Sequence, residues 1–414
     1  MAVAHVLTLV LGLACLAACG GGGGGNPPGG GDPVPVPPGG GDPQPPPPGA
    51  AFPAEYELVR MQYVEANDVD STAARSAGVA ALEPRDTDAI VWSGSINASR
   101  TVMPWVGAFN YDLDGDRTLR CQLPTTGETQ MLGCLAGDER YGLLATVEQG
   151  LPPSISVLLR KGTGVWSDSD LSGDWHMLWV QTSHHYDSVS TGTFRFDGVG
   201  GCEVFVGRRV AEDGTIAWDA PDPLGQPYGY AVQSLDRGQV TISLGLLGDY
   251  HGAVVSEVIE PNNASPRAEA IVLSNAREDG KNPAFMVLIR KIEGPATIWP
   301  LRGDYDAITC RMPHYSAVQR YYTTYLEQYF FDLDDYSRVG KRITNGGGIV
   351  SVGTPAPFTN NFGVEADGRC LVHGFFGTGP YSDGAVSKTG GIAFLSAYGG
   401  DPVSMPHWAV LIQR

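Results

Sequence analysis

Three stretches of the chain close on one hydrophobic pattern. Residues 153–161 read PSISVLLRK, 283–291 read PAFMVLIRK and 406–414 read PHWAVLIQR, a shared P-x-x-x-V-L-[LI]-[RQ]-[KR] whose starts lie 130 and 123 residues apart. Successive side chains of a strand point to opposite faces, so the pattern puts Val287 and Ile289 on one face and Leu288 and Arg290 on the other. An apolar run precedes each close: Leu143-Leu144-Ala145-Thr146, Ile271-Val272-Leu273-Ser274 and Ala393-Phe394-Leu395-Ser396. Short runs of this kind, separated by Gly or Asp turns, predict a C-terminal hairpin. Aromatic pairs at i and i+2 recur as Phe109/Tyr111, Phe194/Phe196 and Tyr329/Phe331, each followed by an aspartate that opens a turn. Residues 171–175 (LSGDW) and 301–305 (LRGDY) share an opening. The reading is all-β: three tandem antiparallel modules at 55–161, 169–291 and 299–414, barrel-like, with about eight short strands each. The first module diverges. Its first half lacks the shared opening, and residues 71–83 (STAARSAGVAALE), stopped by Pro84, predict a short helix.

Ahead of residue 55 the pattern changes twice. Val6 to Ala18 is an apolar stretch of signal-peptide length, too short for a spanning helix. It ends in Leu16-Ala17-Ala18-Cys19, and this string resembles the lipobox of bacterial lipoproteins. The resemblance implies a signal peptide at 1–18, cleavage before Cys19, diacylation of its thiol, and a membrane partner held through that lipid. Gly20 after the cysteine is similar to the sorting pattern for outer-membrane delivery. Six glycines follow, then two ten-residue units, GGGDPVPVPP and GGGDPQPPPP. Gly-rich coil alternating with polyproline II predicts a disordered tether over 19–54.

Composition narrows the function. With 45 acidic against 27 basic side chains and a net charge of −18, the chain is a poor match for nucleic acid. An exported chain permits disulfides. Cys121 with Cys134, and Cys310 with Cys370, are the pairs preferred from module membership, with Cys202 single; five buried thiols are the alternative. Asp112, Asp114 and Asp116 in DLDGD are candidate metal ligands, but a D-G hairpin turn explains them as well, and no cofactor is expected. His184-His185 with His176 is weighed as a transition-metal site against a solvated loop. Ser387-Lys388-Thr389-Gly390 contains KTG without the serine–lysine nucleophile motif that would give it meaning.

A strand opening with G-x-W and a last strand bearing Arg resemble the calycins, the lipocalin and avidin superfamily of eight-stranded barrels. The resemblance implies that Trp175 lies under Arg290 in a cation–π contact, with Tyr305 and Gln413 or Arg414 as a weaker version. Tyr315, Tyr321, Tyr322, Tyr325 and Tyr329 are weighed as a binding surface against a strand that buries them. Together these observations favour a binding or structural envelope lipoprotein over an enzyme, its partner a protein, a glycan or a small apolar ligand. The alternatives are a hydrolase with an unrecognised carboxylate pair and a carrier with an apolar ligand inside a barrel.

Overall fold

The structure, a computed structural model, describes residues 53–62, 76–84, 89–98, 101–115, 117–146, 154–162, 166–181, 188–211, 216–218, 228–232, 238–245, 248–256, 267–275, 284–293, 301–311, 323–332, 335–343, 349–351, 356–358, 362–372, 381–398 and 407–414. Cys19 and the Gly/Pro-rich stretch lie outside them. The described chain is all-β, with antiparallel strands in three sheets and one short helix, α1 (Asp168–Leu171).

The first sheet comprises β1 (Tyr56–Gln62), β2 (Ser76–Pro84), β3 (Ala89–Ala98), β4 (Thr101–Leu113), β5 (Thr118–Gln122), β6 (Thr129–Leu135), β7 (Tyr141–Thr146) and β8 (Ser154–Arg160), and it closes into a barrel in chain order. The second comprises β9 (Gly173–Gln181), β10 (Ser188–Phe196), β11 (Gly201–Ala211), β12 (Ile216–Trp218), β13 (Tyr228–Val232), β14 (Gln239–Ser243), β15 (Asp249–Ser256), β16 (Ala268–Asn275) and β17 (Ala284–Arg290). Its order is β10-β9-β17-β16-β15-β14-β13-β11-β12, and because β10 also pairs with β11, eight of these strands form a ring with β12 outside it. The third comprises β18 (Gly303–Arg311), β19 (Thr323–Asp332), β20 (Asp335–Ile343), β21 (Ile349–Ser351), β22 (Ala356–Phe358), β23 (Phe362–Val364), β24 (Arg369–Val372), β25 (Tyr381–Val386), β26 (Ile392–Tyr398) and β27 (His407–Gln413). It runs β21-β20-β19-β18-β27-β26-β25-β24-β23, with β22 on β20.

Backbone hydrogen bonds align the three sheets residue by residue. Lys161 N donates to Glu55 O, Lys291 N to Asp174 O and Arg414 N to Asp304 O, at 2.9, 3.0 and 2.9 Å. Glu55-Tyr56 therefore stands where Asp174-Trp175 and Asp304-Tyr305 stand, so the first sheet does carry the shared opening. The motif itself is absent there, as the sequence indicates: Ala54-Glu55 stands in place of the Gly-Asp of the other two. The helix expected over 71–83 is corrected: residues 76–84 are β2, paired with β1 and β3. An alanine run has high helix propensity, and barrel closure overrides it. The hairpin match slips by one residue in the first sheet. Gly133 faces Leu144, Gly252 faces Leu273 and Gly384 faces Leu395, so Gly142, not Leu143, is the counterpart of Ile271 and Ala393. The aromatic pair of the first sheet lies on β4, whereas those of the other two lie on β10 and β19, the second strand of each.

The three glycines just named are a repeat of their own. A Cβ on any of them would collide with the carbonyl oxygen of the neighbouring strand, at Leu143, Val272 and Phe394 respectively. Only glycine admits that approach.

Burial divides by strand face. One apolar cluster belongs to each sheet alone: Tyr56, Leu58, Tyr111, Leu144 and Leu158 in the first, Trp175, Met177, Trp179, Phe196 and Leu288 in the second, and Tyr305, Ala307, Phe331, Leu395 and Leu411 in the third. A fourth cluster is common to all three and includes Val157 and Leu159, Val287 and Ile289, Val410 and Ile412. The V-L-[LI] run of each closing strand is apolar at successive positions because both faces are buried, one against its own sheet's core and one against the shared core. This face-sharing also disposes of the disulfides. All five described cysteines are free and buried. Cys121 belongs to the first sheet's own core and Cys134 to the shared one; Cys370 belongs to the third sheet's own core and Cys310 to the shared one. Each expected pair sits on opposite faces of one sheet, where the sulfurs cannot meet.

Contacts between sheets run head to tail. β1, β2 and β8 pack on β15 and β16; β9 packs on β25 and β26; β18 and β27 pack on β7. The first strand of each sheet thus meets the strands just ahead of the closing strand of the next, and the third returns to the first, a pseudo-threefold closure.

Candidate functional site

Each first strand presents one buried polar side chain at the same position: Glu57, His176 and Asp306. Each is held at a joint. Glu57 Oε1 accepts from Gln239 Nε2 of the second sheet at 3.0 Å. Asp306 Oδ2 accepts from Arg414 Nε at 2.9 Å, and burial, opposed by Arg414, raises its pKa. His176 Nε2 lies 2.9 Å from Asp367 O and 3.6 Å from Asp367 Oδ2 on the third sheet. Burial lowers the His176 pKa, Asp367 opposes the shift and Lys291 reinforces it.

At this joint between the second and third sheets the surfaces part into a cleft of about 250 Å³, with His176, Thr191, Lys291, Glu365, Arg369 and Asp383 among its lining residues. Sequence builds it in three steps. The register of β10 against β11 shifts between Thr191 and Gly192, a bulge of the kind that re-aims a side chain. A Cβ at Gly192 would strike the Phe205 carbonyl oxygen, so glycine is required there. Thr191 Oγ1 then donates to Asp383 Oδ2 at 3.3 Å, while Arg369 Nε donates to Asp383 Oδ1 at 3.0 Å. Asp383 is thereby satisfied although buried. Finally, Ile292 N donates to Asp367 O at 2.8 Å, which ties the end of the second sheet to the turn that carries Glu365 and Asp367. Lys291 and Glu365 face the same cleft without a side-chain hydrogen bond or ion pair among the described residues.

Other sequence candidates fall elsewhere. Arg290 Cζ sits 4.8 Å from the Trp175 ring centroid, and its guanidinium also donates to the carbonyls of Ala268, Ser172 and Asp170. In the third sheet Gln413 Nε2 donates at 3.2 Å to Arg302 O, the counterpart of Ser172 O. Asp112 and Asp114 pair with Arg120 at 3.3 and 2.5 Å, while Asp116 lies outside the described residues, as do His184 and His185. Among the described residues no cluster of three metal-ligating side chains forms. The tyrosine surface is corrected at Tyr329, which is buried with its hydroxyl donating to Glu327. It is the inward partner of Phe331. Tyr315, Tyr321 and Tyr322 lie outside the described residues, and Tyr325 is placed only as backbone of β19.

The residues that join all three sheets carried no motif that announced them. Arg140, at the start of β7, and Glu269, at its counterpart in the second sheet, form a buried ion pair. Thr389 of KTG donates to Glu269 through Oγ1 and through its backbone N at 3.1 Å, and accepts from Arg140 Nη2 at 2.8 Å. Tyr141 OH donates to Glu269 Oε2 at 3.0 Å. A signal for the glycine repeat was present in the sequence, as Gly133-Cys134-Leu135, Gly252-Ala253-Val254 and Gly384-Ala385-Val386.

No protein family matches the sequence, and no curated protein matches it. Among solved structures, the chain is similar to intact Ap-TbpB with its N and C lobes, at 8% identity and a TM-score of 0.27, covering 87% of this chain and 76% of that one. It is similar to transferrin binding protein B of serogroup B Neisseria meningitidis at 10% identity and a TM-score of 0.23, covering 87% and 76%. A protein of unknown function of the DUF3598 family from Nostoc punctiforme matches at 9% identity and a TM-score of 0.19, covering 88% and 96%. Likenesses this slight assign no role.

Proposed function

We propose that this chain is an exported, lipid-anchored envelope protein that binds its ligand between sheets, outside the barrel cores. The observation that carries the binding part is how the cores are filled. Trp175, Phe194 and Phe196 occupy the core of the second ring at full burial, and Tyr56 and Leu58 that of the first. Among the described residues these interiors are occupied by large apolar side chains, whereas the cleft beside His176 is open and polar. The anchoring part is supported by Leu16-Ala17-Ala18-Cys19 and the Gly/Pro-rich stretch behind it. Cys19→Ser tests the anchor: labelled palmitate should no longer enter the protein, and the variant should leave the membrane fraction. Membrane retention of an unlabelled Cys19→Ser protein would overturn the lipid-anchor reading.

A further inference from the structure

We propose that the cleft between the second and third sheets binds a small zwitterion, a free amino acid, through Lys291 and Glu365; the inference rests on the binding-protein reading. Of the three pseudo-equivalent joints, this one differs in chemistry. At the first the buried carboxylate of Glu57 is met by Gln239, and at the third that of Asp306 is met by Arg414. At the second joint the deep groups are also met: Asp383 by Arg369 and Thr191, His176 by Asp367. Beyond these contacts, charge of both signs faces the cleft: Lys291 from the end of β17, and Glu365 together with the carboxylate of Asp367, beside neutral His176, from the turn before β24. Lys291 is half-buried and near enough to His176 to depress its basicity; Glu365 is exposed and acts on Arg369.

A ligand of one sign would satisfy one of the two and face the other as a like charge. A molecule with a carboxylate and an ammonium meets both with charge-assisted hydrogen bonds, about twice as strong as neutral ones. Size agrees: about 250 Å³ is room for a single small molecule and too little for a folded partner.

The test is calorimetric titration of the full chain with each of the twenty free L-amino acids, with D-glucose as the neutral polyol. At least one amino acid should bind. Lys291→Ala and Glu365→Gln should each raise its Kd by about tenfold or more, the loss expected for one hydrogen bond to a charged group. Blocking chemistry separates the two ends. Glu365→Gln should leave binding of the N-acetyl derivative unchanged, and Lys291→Ala should leave binding of the carboxamide unchanged. Equal losses for both blocked forms, or no binding by any free amino acid at millimolar concentration, would overturn the inference. Binding of D-glucose that disappears with Thr191→Val would overturn it as well, while leaving the binding-protein reading intact.

Discussion

Arg140 and Glu269, 129 residues apart in sequence, form a buried ion pair at the point where the starts of β7, β16 and β26 converge. They occupy equivalent positions in the first and second sheets, and Gly391 occupies that position in the third. The pseudo-threefold axis is thus filled by one cation, one anion and one residue with no side chain, whose neighbour Thr389 bridges the pair.

Removing one member of this pair strands the other in a low-dielectric site. Glu269→Ala or Arg140→Ala should cost about 3–5 kcal/mol in denaturant unfolding, while Arg140→Met with Glu269→Leu should cost clearly less than the sum. Additive losses in the double variant would show that the charges act separately.

Arg117 has φ of 67° in a turn where the other sheets use Gly238 and Gly368, at 66° and 92°. Arg117→Gly relieves the left-handed strain but gives up the partly exposed pair with Glu139, at 3.1 Å. The net change should lie within about 1 kcal/mol, whereas Arg117→Val, with a branched side chain in the same conformation, should lose about 1–2 kcal/mol. Thermal melts of the two variants decide it.

Burial holds the thiols of Cys121 and Cys202 up to about 12. Native protein at pH 8 should therefore resist iodoacetamide at both, and denatured protein should react, as read by peptide mass spectrometry. The sign for stability follows from linkage: the protonated thiol is favoured in the fold, so this contribution is full below about pH 9 and is lost as pH rises toward 12. Reducing agent should leave the melting temperature unchanged, since neither Cys121 nor Cys310 is bridged.

The His176 pKa is lowered by burial, so the fold favours the neutral ring. Its contribution is present above about pH 6.5 and is lost as pH falls through the lowered value. Facing carboxylates, Asp367 and Asp383, oppose the loss, and Lys291 adds to it. His176→Gln should flatten unfolding free energy against pH below about 6.5. An unchanged slope would place the acid sensitivity elsewhere.

Much of the scaffold was legible because it repeats. β17 is readable from Ala284-Phe285-Met286-Val287-Leu288-Ile289, since a strand buried on both faces is apolar at every position. The opening at Glu55-Tyr56 was hidden because Ala54 stands where the others have Gly and Glu where they have Asp, leaving Tyr56 and the hydrogen bond as the shared features. The cysteine pairs misled because nearness in sequence is blind to which face a side chain takes, and Cys121 and Cys134 take different ones. The cleft could not be read at all. His176, Lys291 and Asp383 meet only because three sheets pack around one core, and no spacing along the chain encodes that.

Head-to-tail packing has a consequence for what a fragment of this chain would do. Each sheet offers one face with its first strand and receives another on the strands just ahead of its closing strand. Three in a row satisfy every such face by returning to the start; two in a row leave one donor and one acceptor unmatched at opposite ends. A fragment carrying only the first two sheets should therefore join copies of itself end to end, seen as concentration-dependent growth in light scattering. By the same rule, insertion of a fourth repeat would break the ring open, so the number three is a property of the joint angle as much as of the chain's length.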